Sequence, residues 1–149
     1  MSSRIWKLHQ AVIDDHLPSL RYHLKKLSGD GVHHQRLQDI KEWSVDEGCP
    51  LQEAARFGRN EMVRLLVAAG IDVNSYSVDE IRDTRYTALH CAAIGNEVST
   101  VEILLELGAD PELLGWKNSH YAATALRFAL EKRNMDVVEV LYHTGKCCF

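Results

Sequence analysis

Histidine is the side chain here with the most chemical potential: the chain of 149 residues carries eight, five of them before residue 35. His9, His16 and His23 stand seven residues apart, a step that returns a helix to one face, where imidazoles could hold a metal or relay protons. Pro18 lies inside that run, and a proline breaks a helix interior, so the three do not share a helix. Asp14-Asp15 could work as a pair of carboxylates, but it falls at an expected turn between two helices, where solvated carboxylates are the rule. The sequence holds no HExxH, GxSxG, GxxxxGK or GxGxxG pattern. Cys49, Cys91, Cys147 and Cys148 form no CxxC pair for zinc or redox work. The terminal Lys-Cys-Cys-Phe is not a prenylation box, because Lys146 occupies the position that needs the cysteine. No catalytic residue, metal or cofactor is expected, and the chain reads as a non-enzyme.

What recurs instead is a set of packing residues. Thr87-Ala88-Leu89-His90 is followed by Cys-Ala-Ala and then by Val101-Glu-Ile-Leu-Leu-Glu-Leu-Gly108. With Leu89 as position zero, the markers are Leu at 0, small residues at +3 and +4, a branched apolar at +12 and Gly at +19. Leu51, Ala54, Ala55, Val63 and Gly70 repeat the pattern, and Leu126, Ala129, Val138 and Gly145 repeat it again. A further copy starts at Leu8 with Ala11 and Leu20 in register, but Leu27 stands where Gly is expected. Small residues at +3 and +4 let neighbouring first helices lie close, and an apolar face of period 3.6 buries the second helix against them. Gly at +19 suits the left-handed backbone that ends a helix.

This pattern resembles the ankyrin repeat, whose T-P-L-H-x-A signature matches Thr87 to Ala92. The resemblance implies an all-α fold: one ankyrin-repeat solenoid spanning 1–149, of about four helix-turn-helix repeats with elongated finger loops. The repeats are placed at 5–29, 48–72, 86–110 and 123–145, and the inserted fingers at 30–47, 73–85 and 111–122. It also implies a structural motif of Thr87, Leu89, His90, Gly70, Gly108 and Gly145, with Thr87 and His90 hydrogen-bonded to pin the finger to its helix. Gln52 and Arg127 stand at the histidine position of two other repeats, and His9 stands there in the first. At +7, where these repeats usually carry Gly, the chain has Asp15, Gly58, Asn96 and Arg133. Asn and Asp tolerate a left-handed turn; at Arg133 the neighbouring Asn134 is expected to take it.

The zero points fall at 8, 51, 89 and 126, in steps of 43, 38 and 37 residues, against a usual ankyrin period of about 33. Because the helical markers keep register, the excess belongs to the fingers. They carry the bulky residues expected of a binding edge: Trp43, Tyr76, Arg82, Arg85, Tyr86, Trp116 and Tyr121. Arg56, Phe57, Ile94 and Lys132 are expected beside them on the concave helix surface.

Composition fits an ordinary globular chain: 46% apolar residues suffice for one core, and a formal net charge of -4 argues against nucleic acid or an anionic membrane as the main partner. No stretch approaches a membrane span or an apolar leader core, so a cytoplasmic or nuclear location is expected. A polar face of charged residues is present at each end, as solenoid caps require, and little chain follows the fourth repeat for an appended effector domain. The resemblance therefore implies a protein partner and a monomer in isolation. The expected role is a stoichiometric inhibitor or adaptor that masks a partner surface, with two alternatives. One is a scaffold or assembly-factor subunit. The other is a short inhibitor of the kind that acts on cyclin-dependent kinases or, IκB-like, on Rel-type transcription factors.

Overall fold

The computed structural model describes residues 3–28, 49–118 and 120–144. Trp43, Gly145 and the inserted segment expected at 30–47 lie outside the described residues, as do Cys147 and Cys148. Among the described residues eight helices occur as four antiparallel pairs: α1 (Ser3–Ile13) with α2 (Leu17–Ser28), α3 (Pro50–Arg56) with α4 (Asn60–Ala68), α5 (Ala88–Gly95) with α6 (Val98–Glu106), and α7 (Ala125–Lys132) with α8 (Met135–His143). Both prolines near helix starts sit in a first turn, Pro18 at the second position of α2 and Pro50 at the first of α3, where the missing N–H costs nothing.

The pairs stack into two layers. First helices α1, α3, α5 and α7 pack side by side, and so do second helices α2, α4, α6 and α8. The core lies between the layers and is made of the marker residues: Leu8, Leu51, Leu89 and Leu126 from the zero positions, Leu20, Val63 and Val101 from +12, and Leu66, Leu104 and Leu141 from the second helices, all buried. Ala54, Ala55, Ala92, Ala93 and Ala129 are fully buried where first helices meet.

The expectation of a purely α fold needs correction. Strands β1 (Tyr76–Asp79), β2 (Thr84–Thr87), β3 (Gly115–Lys117) and β4 (Ala122–Ala123) form one antiparallel sheet in that order. Two fingers are thus hairpins, and they pair with each other through Thr84 opposite Lys117 and Arg85 opposite Trp116. Each hairpin gains from its neighbour the third and fourth strands that an isolated hairpin lacks.

Between paired helices, every +7 residue takes left-handed backbone: Asp15 at φ 53°, Gly58 at 67°, Asn96 at 60° and Arg133 at 60°. Arg133 therefore adopts the strained conformation itself, contrary to the expected hand-over to Asn134. Asn134 has an ordinary negative φ of -81° and does a different job: its Nδ2 donates to the carbonyls of Ala93 at 2.8 Å and Ile94 at 3.3 Å, at the end of α5. Arg59 does the equivalent work two repeats earlier, donating Nη2 to the Ile13 carbonyl at 3.0 Å and pairing through Nε with Asp15 at 3.4 Å. Gly58 is glycine for its backbone conformation; a Cβ there would meet only the end of the Glu97 side chain, which can move aside. Gly70 and Gly108 end their second helices at φ 100° and 93°.

Two stability measurements follow. Leu104 is fully buried in α6, and Leu104→Ala should lower unfolding free energy by roughly 2–5 kcal/mol in a urea titration. Arg133→Gly should raise it by about 1 kcal/mol, because glycine meets no Cβ clash at positive φ.

Candidate functional site

Adjacent first helices present equivalent positions side by side, so the solenoid converts sequence register into rows of residues. The +2 row reads Glu53, Cys91 and Phe128, and the +5 row reads Arg56, Ile94 and Glu131. These six side chains form one wall of a cleft of about 600 Å³. The facing wall is the finger sheet. In a strand, alternate residues share a face, and residues opposite each other across a pair share it too, so Ser77, Asp79, Thr84, Tyr86 and Lys117 belong to one surface. All five line the cleft.

His90 and Phe128 form the hinge between the walls. Thr87 precedes α5 and forms a capping box with His90, which stands where Glu or Gln is usual. The Thr87 backbone N–H donates to His90 Nδ1 at 3.3 Å, and the Thr87 hydroxyl lies 2.7 Å from the same nitrogen. On the other side of the ring, Nε2 is 3.2 Å from the Ala123 carbonyl. An amide N–H can only donate and a carbonyl can only accept, so the partners assign a neutral ring protonated at Nε2. Burial agrees, pushing the His90 pKa down to about 4. Gln52 serves this purpose one repeat earlier, donating Nε2 to the Ser75 carbonyl at 2.9 Å. Arg127 does not; it is exposed and its guanidinium lies 3.9 Å from Glu131. His9 is half-buried, and burial lowers its pKa.

Phe128 is buried at the hub of an aromatic cluster, edge-on to Tyr86 at 5.3 Å, to His90 at 5.8 Å and to Tyr121 at 5.9 Å. The Tyr121 hydroxyl donates to Glu131. Gly115 in β3 crosses directly over this cluster: a Cβ there would stand 2.8 Å from the His90 ring and 3.0 Å from Tyr86, so only glycine lets the strand pass.

The expected binding residues do not form a single surface. Arg56, Arg82, Tyr86, Ile94 and Lys132 line the cleft together. Tyr76, Arg85 and Trp116 stand on the opposite face of the sheet, because Val78 opposes Arg85 and Arg85 opposes Trp116. There the Arg85 guanidinium sits 5.8 Å from both ring centroids, the rings are 5.9 Å apart, and the Tyr76 hydroxyl donates to the Leu114 carbonyl at 3.1 Å. Much of this aromatic surface thus holds the fingers to each other. Phe57 lies outside the cleft, exposed, with the Arg59 guanidinium 5.3 Å over its ring. Tyr121 contributes through Phe128 and Glu131 rather than by lining the cleft.

Reading by residue type missed three features. Ile81, at the tip of the β1–β2 hairpin, is 97% exposed at the cleft rim. Its turn is held by Asp79, whose Oδ1 accepts the backbone N–H groups of Ile81 at 3.1 Å and Arg82 at 3.0 Å and whose other oxygen pairs with Arg82 at 3.5 Å. Phe128 was missed as well, although its +2 position was the available signal. The third is the pair of thiols, Cys49 and Cys91, on one wall of the cleft. Burial raises both to about 11, so they are protonated, weakly nucleophilic thiols at neutral pH.

The family described as ankyrin repeats in three copies matches residues 8–115 and, in an overlapping match, 76–148. Among curated proteins, the chain is 34% identical over 123 residues to zinc finger CCCH domain-containing protein 29 of Arabidopsis thaliana, covering 78% of this chain and 20% of that protein. It is 37% identical over 95 residues to the ankyrin repeat and KH domain-containing protein mask-1 of Caenorhabditis elegans, covering 64% of this chain and 3% of that one. It is 29% identical over 99 residues to putative ankyrin repeat protein FPV018 of fowlpox virus, covering 64% and 13%. The chain thus spans a fifth or less of the length of these relatives.

The His90 environment makes stability depend on pH. In the unfolded chain the imidazole titrates near 6.5, and in the folded chain near 4, so acid binds the unfolded chain first. This contribution is fully present above about pH 6.5 and is lost as pH falls toward 4, on the order of 3 kcal/mol in all. Urea titrations across that window should show the loss in the wild type and a flatter profile in His90→Gln.

Proposed function

The chain belongs to the ankyrin-repeat family, whose repeats form protein–protein interaction modules, and we propose that it is a stoichiometric inhibitor or adaptor that masks a partner surface. The observation that carries this reading is the cleft between the first helices and the finger sheet. It is open on one side and lined by aromatic, aliphatic and charged side chains, with the exposed Ile81 at its rim. Recognition by such a surface uses apolar anchors for affinity and the surrounding charges for register.

The cleft acts as one unit because its walls are joined: His90 of α5 holds the Ala123 carbonyl of β4, and Tyr86 of β2 packs on Phe128 of α7. A partner seated there would touch three repeats and two fingers at once. We place this activity in the cytoplasm or nucleus; the free thiols of Cys49 and Cys91 suit a reducing compartment. Among the described residues no helix is long and apolar enough to cross a membrane, in keeping with a protein partner. A scaffold subunit is the second reading, favoured by the exposure of Ile81 and Phe57, since permanent interfaces bury such residues. An IκB-like inhibitor would be a special case of the first reading, with a Rel-type factor as the partner.

The test is affinity capture from native lysate with three baits: the wild type, Ile94→Glu in the cleft, and Arg85→Ala on the far face of the sheet. A near-stoichiometric partner recovered with the wild type and Arg85→Ala but lost with Ile94→Glu is expected. Equal recovery with all three would move the interface away from the cleft. An inhibitor should run alone as a monodisperse monomer in size-exclusion chromatography, whereas a permanent subunit should aggregate without its complex.

A further inference from the structure

Among the described residues of the cleft, Arg56 is the cation with a buried donor left unmet. Arg56 projects from the end of α3 into the +5 row, and a guanidinium offers five N–H donors and stays charged at any physiological pH. Its Nε is buried with no hydrogen-bond partner. Its Nη2 has only the Cys91 sulfur, at 4.0 Å, a weak acceptor because Cys91 is a neutral thiol. Glu53, one turn earlier on the same helix, acts on Arg56 through its field, but no ion pair joins the two among the described residues. Two other carboxylates of the cleft are already engaged: Asp79 with Arg82 at 3.5 Å and with two backbone N–H groups, and Glu131 with the Tyr121 hydroxyl and with Arg127 at 3.9 Å.

We propose that Arg56 is the anchor for a single carboxylate side chain, Asp or Glu, carried by an extended segment of the partner protein that lies along the cleft. This deepens the reading of the cleft as the partner-binding surface and rests on it. A guanidinium fork matches a carboxylate with two parallel hydrogen bonds, and Arg56 has donors left over to form them. The walls beside it, Tyr86, Phe128 and Ile94, are apolar, so the neighbouring side chain of the segment is apolar. The charge balance argues for a monoanion over a phosphate: Glu53, Asp79, Glu80 and Glu131 ring the same space as Arg56, Arg82, Lys117 and Lys132, so a carboxylate adds one uncompensated negative charge and a phosphate dianion adds two. Lys117 and Lys132, at the rim, place the segment without competing for its buried charge.

The probe is a degenerate peptide library, including phosphoserine, selected on the immobilised full chain. The wild type should enrich Asp or Glu over Asn or Gln by roughly tenfold at one position beside an apolar residue. Arg56→Gln should lose the acid preference and keep the apolar one, and Arg56→Glu should turn the preference toward Lys or Arg. Thermal melts establish that each variant is folded. If Arg56→Gln is not, Arg56→Lys, which keeps the charge without the fork, should weaken the acid preference. Wild-type selection with no acid preference, a preference for phosphoserine, or acid selection unchanged in the folded Arg56 variants overturns the proposal. In those cases abolition of the enrichment by Ile94→Glu shows that the cleft still binds peptides. No enriched sequence, or enrichment that Ile94→Glu leaves intact, overturns the cleft reading together with the proposal.

Discussion

The spacing of the first helices is the constraint on which everything else depends. Ala54, Ala55, Ala92, Ala93 and Ala129 are fully buried at that contact, and no side chain larger than a methyl group leaves the helices close enough for the next residues to meet. The approach brings the end of α3 against α5, where a Cβ on Gly95 would lie 2.4 Å from the Arg56 carbonyl. It lets Asn134 and Arg59 reach the carbonyls of preceding helices. It also sets the distance between the +5 residues, hence the length of the wall they form. A leucine at one of these alanines would act on the cleft without touching it, because close-packed interiors transmit a change of volume rather than absorb it.

The helical scaffold was legible in sequence because each marker residue has one packing reason that does not depend on its surroundings. Leu at zero and Ala at +3 and +4 are all found in the core, as is the branched residue at +12 in the first three repeats; in the fourth, Val138 is partly buried against it and Val137 is the buried residue. Thr87 and His90 were legible by resemblance, and the structure supplies their hydrogen bonds. The strands were not legible: Tyr76–Asp79 and Thr84–Thr87 are short and lack an alternating apolar pattern. They exist because neighbouring fingers pair. Side-chain facing was lost for the same reason, since strand parity is decided by register across β1, β2 and β3 and not by residue type. Tyr76, Arg85 and Trp116 therefore read as binding residues, yet pack on one another behind the cleft. Arg133 shows the opposite failure: a propensity argument moved the left-handed turn to Asn134, and tertiary hydrogen bonds to α5 put Asn134 to other use.

The two faces of the finger sheet divide the work. The outer face is cohesive, with Arg85 held between two rings and Tyr76 tied to the loop before β3. The inner face is left to the cleft, where charge and apolar surface alternate and Arg56 has too few acceptors. Rigid support behind a polar, incompletely satisfied surface is the arrangement that preorganises recognition, because little has to be ordered when a partner arrives.

The ties between repeats also have a direction along the chain. Ile13 offers its carbonyl at the end of α1, and the guanidinium that satisfies it belongs to Arg59. The Ala93 carbonyl at the end of α5 waits for Asn134, and the His90 ring waits for Ala123. In each case the earlier residue meets its partner only when the following repeat has been made. A chain emerging from the ribosome amino end first therefore exposes, at every stage, a helical pair whose closing hydrogen bonds have not yet been synthesised. On a ribosome, each of these pairs would complete its hydrogen bonds one step behind the growing end.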